Sequence, residues 1–257
     1  MDWMTPLLGL AVGFLVGLTG IGGGSVMTPL LILVGGVRPI VAVGTDLAYA
    51  AITKAFGSAV HYRQGTVDLG IAWHLAIGSI PGALAGVAFI MWMKGRGDNG
   101  NLDWFITRAL AVALILVALN LLLRPFHRKP SEETKIQRLP TRQKTLTVLA
   151  GAGIGFLVGL TSVGSGSLIA AALVVLYPRL PLSRVVGTDI FHATFLSAAA
   201  GFAHFGLGSV DLSVLGGLLI GSLPGVWWGS RLAVAVPDKV LRPILATLLM
   251  GVAYKLF

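Results

Sequence analysis

The chain contains one motif twice, and this duplication limits the folds that it can adopt more than any other feature. The segment from Gly13 to Ser25 reads GFLVGLTGIGGGS, and the segment from Gly155 to Ser167 reads GFLVGLTSVGSGS, with 10 of 13 residues identical. Further matches follow at a nearly constant offset: VGTD at 43–46 and 186–189, His at 61 and 204, and GSxPG at 78–82 and 221–225. Since chance apolar similarity would not keep these residues in register, the sequence predicts two copies of one structural unit.

The composition indicates that the outside of this duplicated fold faces lipid. Charged residues make up 11% of the 257 and hydrophobic residues 55%, whereas a soluble domain is about 25% charged. This balance excludes an ordinary soluble enzyme, a nucleic-acid-binding module and a disordered protein, and it makes the lipid bilayer the main partner of the chain. The net charge of +9 comes from short loops and a linker, so it reports membrane orientation and indicates no nucleic-acid partner.

One long hydrophilic segment separates the two copies. It runs from Arg124 to Lys144 and holds three Pro, seven Lys or Arg and two Glu residues. Proline and charge at this density break helices. We therefore predict a first membrane repeat over 1–123, a basic linker over 124–144 and a second membrane repeat over 145–257.

Each copy contains three apolar runs near the roughly 20 residues that a spanning helix needs. The predicted spans are Ile40–Val60, Leu69–Met93, Trp104–Leu123, Leu182–Ala203, Leu212–Val236 and Val240–Leu256.

The first element of each copy is different, because it is interrupted. In the first copy Pro6–Thr19 and Ser25–Val34 are each too short to cross, and Gly20–Gly24 separates them. The second copy has the same interruption around Ser162–Gly166. The pieces form either one broken helix that crosses the membrane or a re-entrant hairpin that returns.

The distribution of basic residues favours the hairpin. If it returns, the two copies are inverted, and thirteen loop Lys and Arg residues lie on the linker side against four on the other. If the broken element crosses, the copies are parallel, and the count is nine against eight. Because basic loops face the cytoplasm, we predict an all-α integral membrane protein of the bacterial inner membrane. It has two inverted repeats, each a broken or re-entrant helix pair plus three transmembrane helices, with a cytoplasmic linker and both termini outside.

The two interruptions are the predicted substrate site. Unwound backbone inside a membrane leaves N–H groups that need partners, and the N-terminus of the following helix carries partial positive charge. Two such turns facing each other would form a cavity rich in donors, which suits a small oxyanion; the alternative is that the glycines only allow close packing. The predicted substrate-binding residues of the turns are Thr19, Gly22, Gly23, Gly24, Ser25, Thr161, Ser162, Gly164, Ser165, Gly166 and Ser167.

Lys54 completes this predicted set. It is the single Lys placed deep in a predicted span, where a charge costs about 2.5 kcal/mol or more without a partner. Its equivalent in the second copy is Ser197, so the repeat itself does not require it. We expect Lys54 to act as a counter-charge to a bound anion or to a protein carboxylate.

Other ionisable residues are candidates for proton coupling or counter-charge: Asp46, Asp189, His61, His192 and His204. The two Asp residues could instead cap the starts of their helices, and the His residues at 61 and 204 could cap the ends. Histidine titrates near neutral pH, so a proton relay is the functional alternative. No motif indicates a cofactor, a nucleotide or a metal site.

Three segments resemble the sulfite exporter TauE/SafE family: GFLVGLTGIGGGS, VGTDLAYAAITKAFGSAVHYRQGTVD and GSIPGALAG. The resemblance covers nearly the whole chain except the linker. It implies a duplicated bacterial membrane protein that moves sulfur-containing anions such as sulfite, sulfoacetate or thiosulfate. It also implies that Gly22–Ser25 and Gly164–Ser167 form the substrate site.

Together these features predict a secondary transporter rather than an enzyme, with a small sulfur-containing anion bound between the breaks near the membrane midplane. One alternative is an anion channel built on the same cavity. Another is a membrane-bound accessory protein of sulfur metabolism that transports nothing. The oligomeric state, monomer or homodimer, stays open.

Overall fold

The computed structural model describes residues 4–19, 24–96, 99–123, 140–233 and 238–257. Every regular element in these ranges is an α-helix, which confirms the all-helical fold. The helices are α1 (Met4–Thr19), α2 (Gly24–Leu33), α3 (Pro39–Arg63), α4 (Leu69–Gly95), α5 (Asn99–Leu123), α6 (Thr141–Thr161), α7 (Ser167–Leu176), α8 (Leu182–Gly206), α9 (Leu212–Ala233) and α10 (Asp238–Leu256).

Five helices come from each copy, so α1 to α5 are the equivalents of α6 to α10. The first helix of the second copy, α6, begins at Thr141 and therefore includes the last four residues of the predicted linker. The remainder of that linker, 124–139, lies outside the described residues.

Six helices in the described ranges are long and apolar enough to cross a bilayer. They are Pro39–Arg63, Leu69–Gly95, Gly100–Leu123, Thr141–Thr161, Leu182–Gly206 and Leu212–Gly229. Five of them match predicted spans, whereas α6 was expected to be one of the short, interrupted elements. The predicted span 240–256 is helical, but its apolar part, Pro243–Leu256, is shorter than the six. Large apolar side chains stand exposed on the outside, as Phe202 does at 78%, so the chain is a multi-pass membrane protein.

The two most extensive helix–helix contacts are between the copies: α1 packs along α9, and α4 packs along α6. Gly13 allows the first approach, since a methyl group there would come within 2.5 Å of the carbonyl oxygen of Ser222. Gly155 does the same on α6, where a methyl group would collide with the carbonyl oxygen of Ser79 on α4. Successive contacts advance in the same direction along both helices of each pair: Gly9 with Leu218, Gly13 with Ser222, Gly78 with Val148, and Gly86 with Phe156.

The equivalent helices α3 and α8 run antiparallel at the centre of the molecule. Thr45, near the start of α3, accepts a hydrogen bond from the backbone N–H of Asp211, just after α8, at 3.0 Å. Thr188, near the start of α8, accepts one from the backbone N–H of Asp68, just after α3, at 2.9 Å. One interaction thus occurs twice, with the roles of the copies exchanged.

The helix α4 runs in the same direction as α8. Ser79 in the middle of α4 meets His192 at 2.7 Å, and Lys94 at its end donates to the carbonyl oxygen of Leu207, beyond the end of α8, at 3.1 Å. Since α4 is also parallel to α6, the helices α6 and α8 point the same way. The chain therefore doubles back through α7 between them.

Candidate functional site

The interruption between α6 and α7 is a buried turn with unusual backbone angles. Ser162 follows the last residue of α6 with φ of 61°, and Gly164 has φ of 106°. The left-handed conformation is costly for a residue with a Cβ atom, so other contacts must hold Ser162 in place. The side chains of Thr161, Ser162, Ser165 and Ser167 are all buried, which places hydroxyl groups inside the membrane protein at the predicted site.

Thr161 closes the end of α6 with its own side chain. Its hydroxyl donates to the carbonyl oxygen of Leu157 at 2.7 Å and accepts from the backbone N–H of Val163 at 3.2 Å. Gly166 precedes α7 directly. The α6–α7 turn therefore brings together hydroxyl groups, freed backbone and the N-terminus of a ten-residue helix.

Asp46 reaches this turn from the first copy. Its Oδ2 atom accepts hydrogen bonds from the hydroxyl of Thr28 on α2 at 2.5 Å and from the hydroxyl of Ser162 at 2.9 Å. Its Oδ1 atom is also buried and has no hydrogen-bond partner among the described residues. One carboxyl group thus joins α2 and α3 to the α6–α7 turn.

Lys54 reaches the same turn two helical turns further along α3. Its ammonium group donates to the hydroxyl of Ser165 at 2.7 Å. It also interacts electrostatically with Asp46 and with Asp189, the equivalent of Asp46 on α8. Of the predicted candidates, Asp46 and Lys54 therefore contact the second interruption directly, and Asp189 interacts with the same cation.

His192 lies on α8, on the side that faces α4. Its Nε2 atom forms a hydrogen bond of 2.7 Å with the hydroxyl of Ser79, and Nδ1 is buried without a hydrogen-bond partner among the described residues. The equivalent residues are Tyr49 on α3 and Ser222 on α9. The first copy therefore carries a phenol where the second carries an imidazole.

The other two His candidates lie at the ends of helices. His61 bonds through Nδ1 to the hydroxyl of Thr66 at 2.9 Å. His204 bonds to the equivalent residue, Ser209, at 3.0 Å, and its Nε2 donates to the carbonyl oxygen of Gly159 at 2.9 Å. The contacts to Thr66 and Ser209 tie the ends of α3 and α8 to the turns that follow them, and the contact to Gly159 ties the end of α8 to α6.

The first interruption is described in part. Gly22 and Gly23 lie outside the described residues, as does the side chain of Thr19 at the end of α1. Gly24 begins α2, and Ser25 is buried in the first turn of that helix.

Two residues of the site were missed by the sequence analysis. Thr28 donates to Asp46, and Ser79 pairs with His192. Ser79 belongs to the duplicated GSxPG motif, which is a signal that could have found it. Thr28 has no counterpart hydroxyl, because the equivalent residue is Ala170.

Two apolar grooves open on the outer surface beside the site. One, of about 490 Å³, lies between α4 and α8 and includes His192; the other, of about 430 Å³, lies between α3 and α8. Exposed aromatic side chains line both, so their surfaces suit lipid chains. Among the described residues no group of three His, Asp or Glu side chains is arranged to hold a metal ion.

The paired copies, the lipid-facing surface and the buried polar turn define a polytopic helical membrane protein with an internal duplication. The chain belongs to the sulfite exporter TauE/SafE family, whose model matches residues 6–256.

Bacterial relatives cover almost the whole chain. The probable membrane transporter protein YjnA of Bacillus subtilis is 43% identical over 97% of this chain and 97% of its own length. The probable membrane transporter protein YdhB of the same organism is 28% identical, with 92% and 90% covered. The probable membrane transporter protein YfcA of Escherichia coli is 23% identical, with 87% and 78% covered. No solved structure matches the chain significantly.

Proposed function

We propose that this protein is a secondary transporter that moves a small sulfur-containing anion across the bacterial cytoplasmic membrane. The observation that carries the proposal is the contact between Lys54 of the first copy and Ser165 in the interruption of the second, at 2.7 Å. The family and the names of the relatives support transport. The half-buried cation beside a hydroxyl-lined helix break supports an anionic cargo.

The chemistry of the turn agrees with an oxyanion. The direct hydrogen bond of the Lys54 ammonium group is to the neutral hydroxyl of Ser165, although a charge inside a membrane protein is best stabilised by a charged partner. A sulfite, thiosulfate or sulfonate oxygen could replace that hydroxyl and gain a charge-assisted hydrogen bond. Ser167 and the N-terminus of α7 supply further donors near the same place.

We also propose that the two copies are inverted, with the linker in the cytoplasm and both termini outside. The antiparallel pair α3 and α8 supports this arrangement, because equivalent helices of parallel copies would cross in the same direction. The doubling back through α7 supports a hairpin that returns. In this arrangement alternating access would follow from rocking of one repeat against the other around the anion.

Three loop contacts are compatible with the inverted arrangement. Each contact joins two loops that lie on the same side of the membrane in that arrangement. Arg38 lies 3.3 Å from Asp103, and Lys94 bonds to Leu207, all on the outer side. Arg184 lies 4.0 Å from Asp68, both on the cytoplasmic side.

Thermal stabilisation of the purified protein by sulfite, thiosulfate, sulfate, sulfoacetate and simple carboxylates tests the anion site. We expect at least one sulfur-containing anion to raise the melting temperature of the wild type. Lys54→Ala should weaken that anion's affinity roughly 10- to 100-fold, because a hydrogen bond to a charged group is lost. Ser197→Ala is the matched control, since it changes the equivalent buried residue on α8, and it should keep the response. An unchanged response of Lys54→Ala to every anion would contradict the site.

Proteoliposomes separate a transporter from the alternatives. A transporter should show saturable flux of the labelled anion, accelerated by unlabelled anion on the opposite side. Flux that does not saturate would indicate a channel, and flux equal to that of empty vesicles would indicate an accessory protein.

A further inference from the structure

One carboxylate oxygen in the centre of the protein has no donor. Asp46 is fully buried, and both of its hydroxyl partners donate to Oδ2. Oδ1 is left without a hydrogen bond among the described residues. A buried charged oxygen without a partner is expensive, whereas a protonated Oδ1 would carry no charge. The geometry therefore leaves Oδ1 of Asp46 available to bind a proton.

Few ionisable groups of the described residues face Asp46. On α3 itself Tyr49 and Lys54 interact with it. The helix α2 and the α6–α7 turn contribute hydroxyl groups and no charge. From α8 come Asp189, which interacts with Lys54, and His192, which also interacts with Lys54. The cations of the other neighbouring helices are engaged with rings: Arg108 of α5 with Trp104 and Phe257, and Arg231 of α9 with Trp227.

An anion at Lys54 would upset this balance. Two carboxylates, those of Asp46 and Asp189, already lie within electrostatic range of this ammonium group, so an incoming anion would leave excess negative charge in a medium of low dielectric. Either the anion is rejected or one carboxylate is neutralised. Asp46 is the carboxylate whose position suits neutralisation. Its Oδ1 has no hydrogen-bond partner among the described residues, and its Oδ2 is bonded to the turn that would bind the anion.

Building on the proposed anion transport, we propose that Asp46 binds a proton on Oδ1 together with the anion at Lys54, so that both cross the membrane in one step. Water supplies the proton on one side and accepts it on the other, and no other bond changes. The link between the two sites is short: Asp46 bonds to Ser162, and Lys54 bonds to Ser165, in the same turn. Because coupling is reciprocal, protonation of Asp46 strengthens anion binding as much as the anion strengthens proton binding.

The test is the pH dependence of anion affinity in the full chain. Thiosulfate and sulfoacetate are suitable probes, because neither gains or loses a proton between about pH 6 and pH 8, where any change belongs to the protein. For the wild type we expect the dissociation constant to rise up to about tenfold per pH unit, as the uptake of one proton requires. Asp46→Asn keeps an oxygen that accepts from Thr28 and Ser162 but cannot be protonated, and its slope should fall below about twofold per unit.

Asp103→Asn is the matched control, since it makes the same change in a half-buried carboxyl group that is paired with Arg38 and whose Oδ1 also lacks a partner among the described residues, and it should keep the wild-type slope. A wild-type slope that persists in Asp46→Asn would overturn the proton site and leave the anion site standing. If neither probe binds to the wild type, the anion site itself fails, and the proton site fails with it.

Calorimetry of the wild type provides a measurement that needs no variant. Anion binding measured in two buffers with different ionisation enthalpies counts the protons taken up, and we expect about one for each anion. This measurement decides the matter if Asp46→Asn does not fold. Uptake of no proton would overturn the proposal.

Discussion

The two helix interruptions arose from one sequence but differ in chemistry. In the second, Ser162 and Ser165 contact Asp46 and Lys54. The equivalent residues of the first are Gly20 and Gly23, which have no side chains. Among the described residues, the acid and the cation of α3 thus have hydroxyl partners in the second turn, and the equivalents of those partners in the first turn have no side chain.

The residues opposite the turns differ in the same way. Lys54 is replaced by Ser197 on α8, and Thr28 is replaced by Ala170 on α7. By contrast, the residues that pack helices together are kept, as Gly13 and Gly155 are. The two copies thus share the residues that pack their helices, whereas a few substitutions concentrate the polar groups at the second interruption.

The first prediction concerns which side of the membrane each of two equivalent loops faces, and the expected labelling is all or none. Gln64 after α3 and Leu207 after α8 are equivalent, and inverted copies place them on opposite sides. The chain contains no cysteine, so single substitutions Gln64→Cys and Leu207→Cys give a clean background for an impermeant thiol reagent. In intact cells we expect Cys at 207 to be labelled and Cys at 64 to be protected, with the pattern reversed in inside-out vesicles. Labelling of both from one side would rule out inversion.

The second prediction concerns the helix pairs between the copies and has a large effect on stability. Gly155→Ala and Gly13→Ala each place a methyl group against a carbonyl oxygen of the partner helix. Overpacking of this kind typically costs about 1–3 kcal/mol, so both variants should melt at clearly lower temperatures than the wild type.

Gly153→Ala is the control for that experiment, because no heavy atom lies within 4 Å of the added methyl group. An exposed helical glycine replaced by alanine gains up to about 1 kcal/mol, so this variant should be as stable as the wild type or more so. If Gly13→Ala were tolerated and Gly155→Ala were not, the two helix pairs would not be equivalent.

The third prediction rests on the smallest difference, about 1 kcal/mol between two variants, and asks what the left-handed residue of the second turn contributes. Ser162→Ala loses the hydrogen bond to Asp46 and keeps the strained backbone, so it should cost about 1.5–3 kcal/mol. Ser162→Gly loses the same bond but relieves strain of about 1 kcal/mol or more. We therefore expect Ser162→Gly to melt above Ser162→Ala and below the wild type. The opposite order of the two variants would show that the turn is not strained at this residue.

The sequence predicted much of the fold because apolar runs and duplicated turn residues bracket the helices. The run from 69 to 93, for example, agrees closely with α4, Leu69–Gly95. The predicted linker included Thr141–Lys144, because these residues are polar and follow Pro140, as the residues of a linker often do. The structure shows that this polar turn continues into an apolar helix long enough to cross.

Some residues of the candidate site could be predicted from the sequence, and others could not. Asp46 and Lys54 could be selected because a charge inside a membrane is expensive and therefore conspicuous. Thr28 could not, since a hydroxyl in a membrane helix is inexpensive when it bonds locally and leaves no pattern in the sequence. The contact between Lys54 and Ser165 joins residues 111 positions apart, and nothing in the local sequence of either residue specifies the other.

The packing of helices from one copy against helices of the other has a consequence for biosynthesis. Because α1 lies along α9 and α4 lies along α6, a ribosome that has delivered only the first copy has delivered two helices whose neighbours do not yet exist. Until the partner helices have been synthesised, the glycine-lined faces of these two helices contact lipid or an insertion chaperone. A message truncated anywhere before α9 would therefore yield a polypeptide without a mature fold, however well its early segments insert.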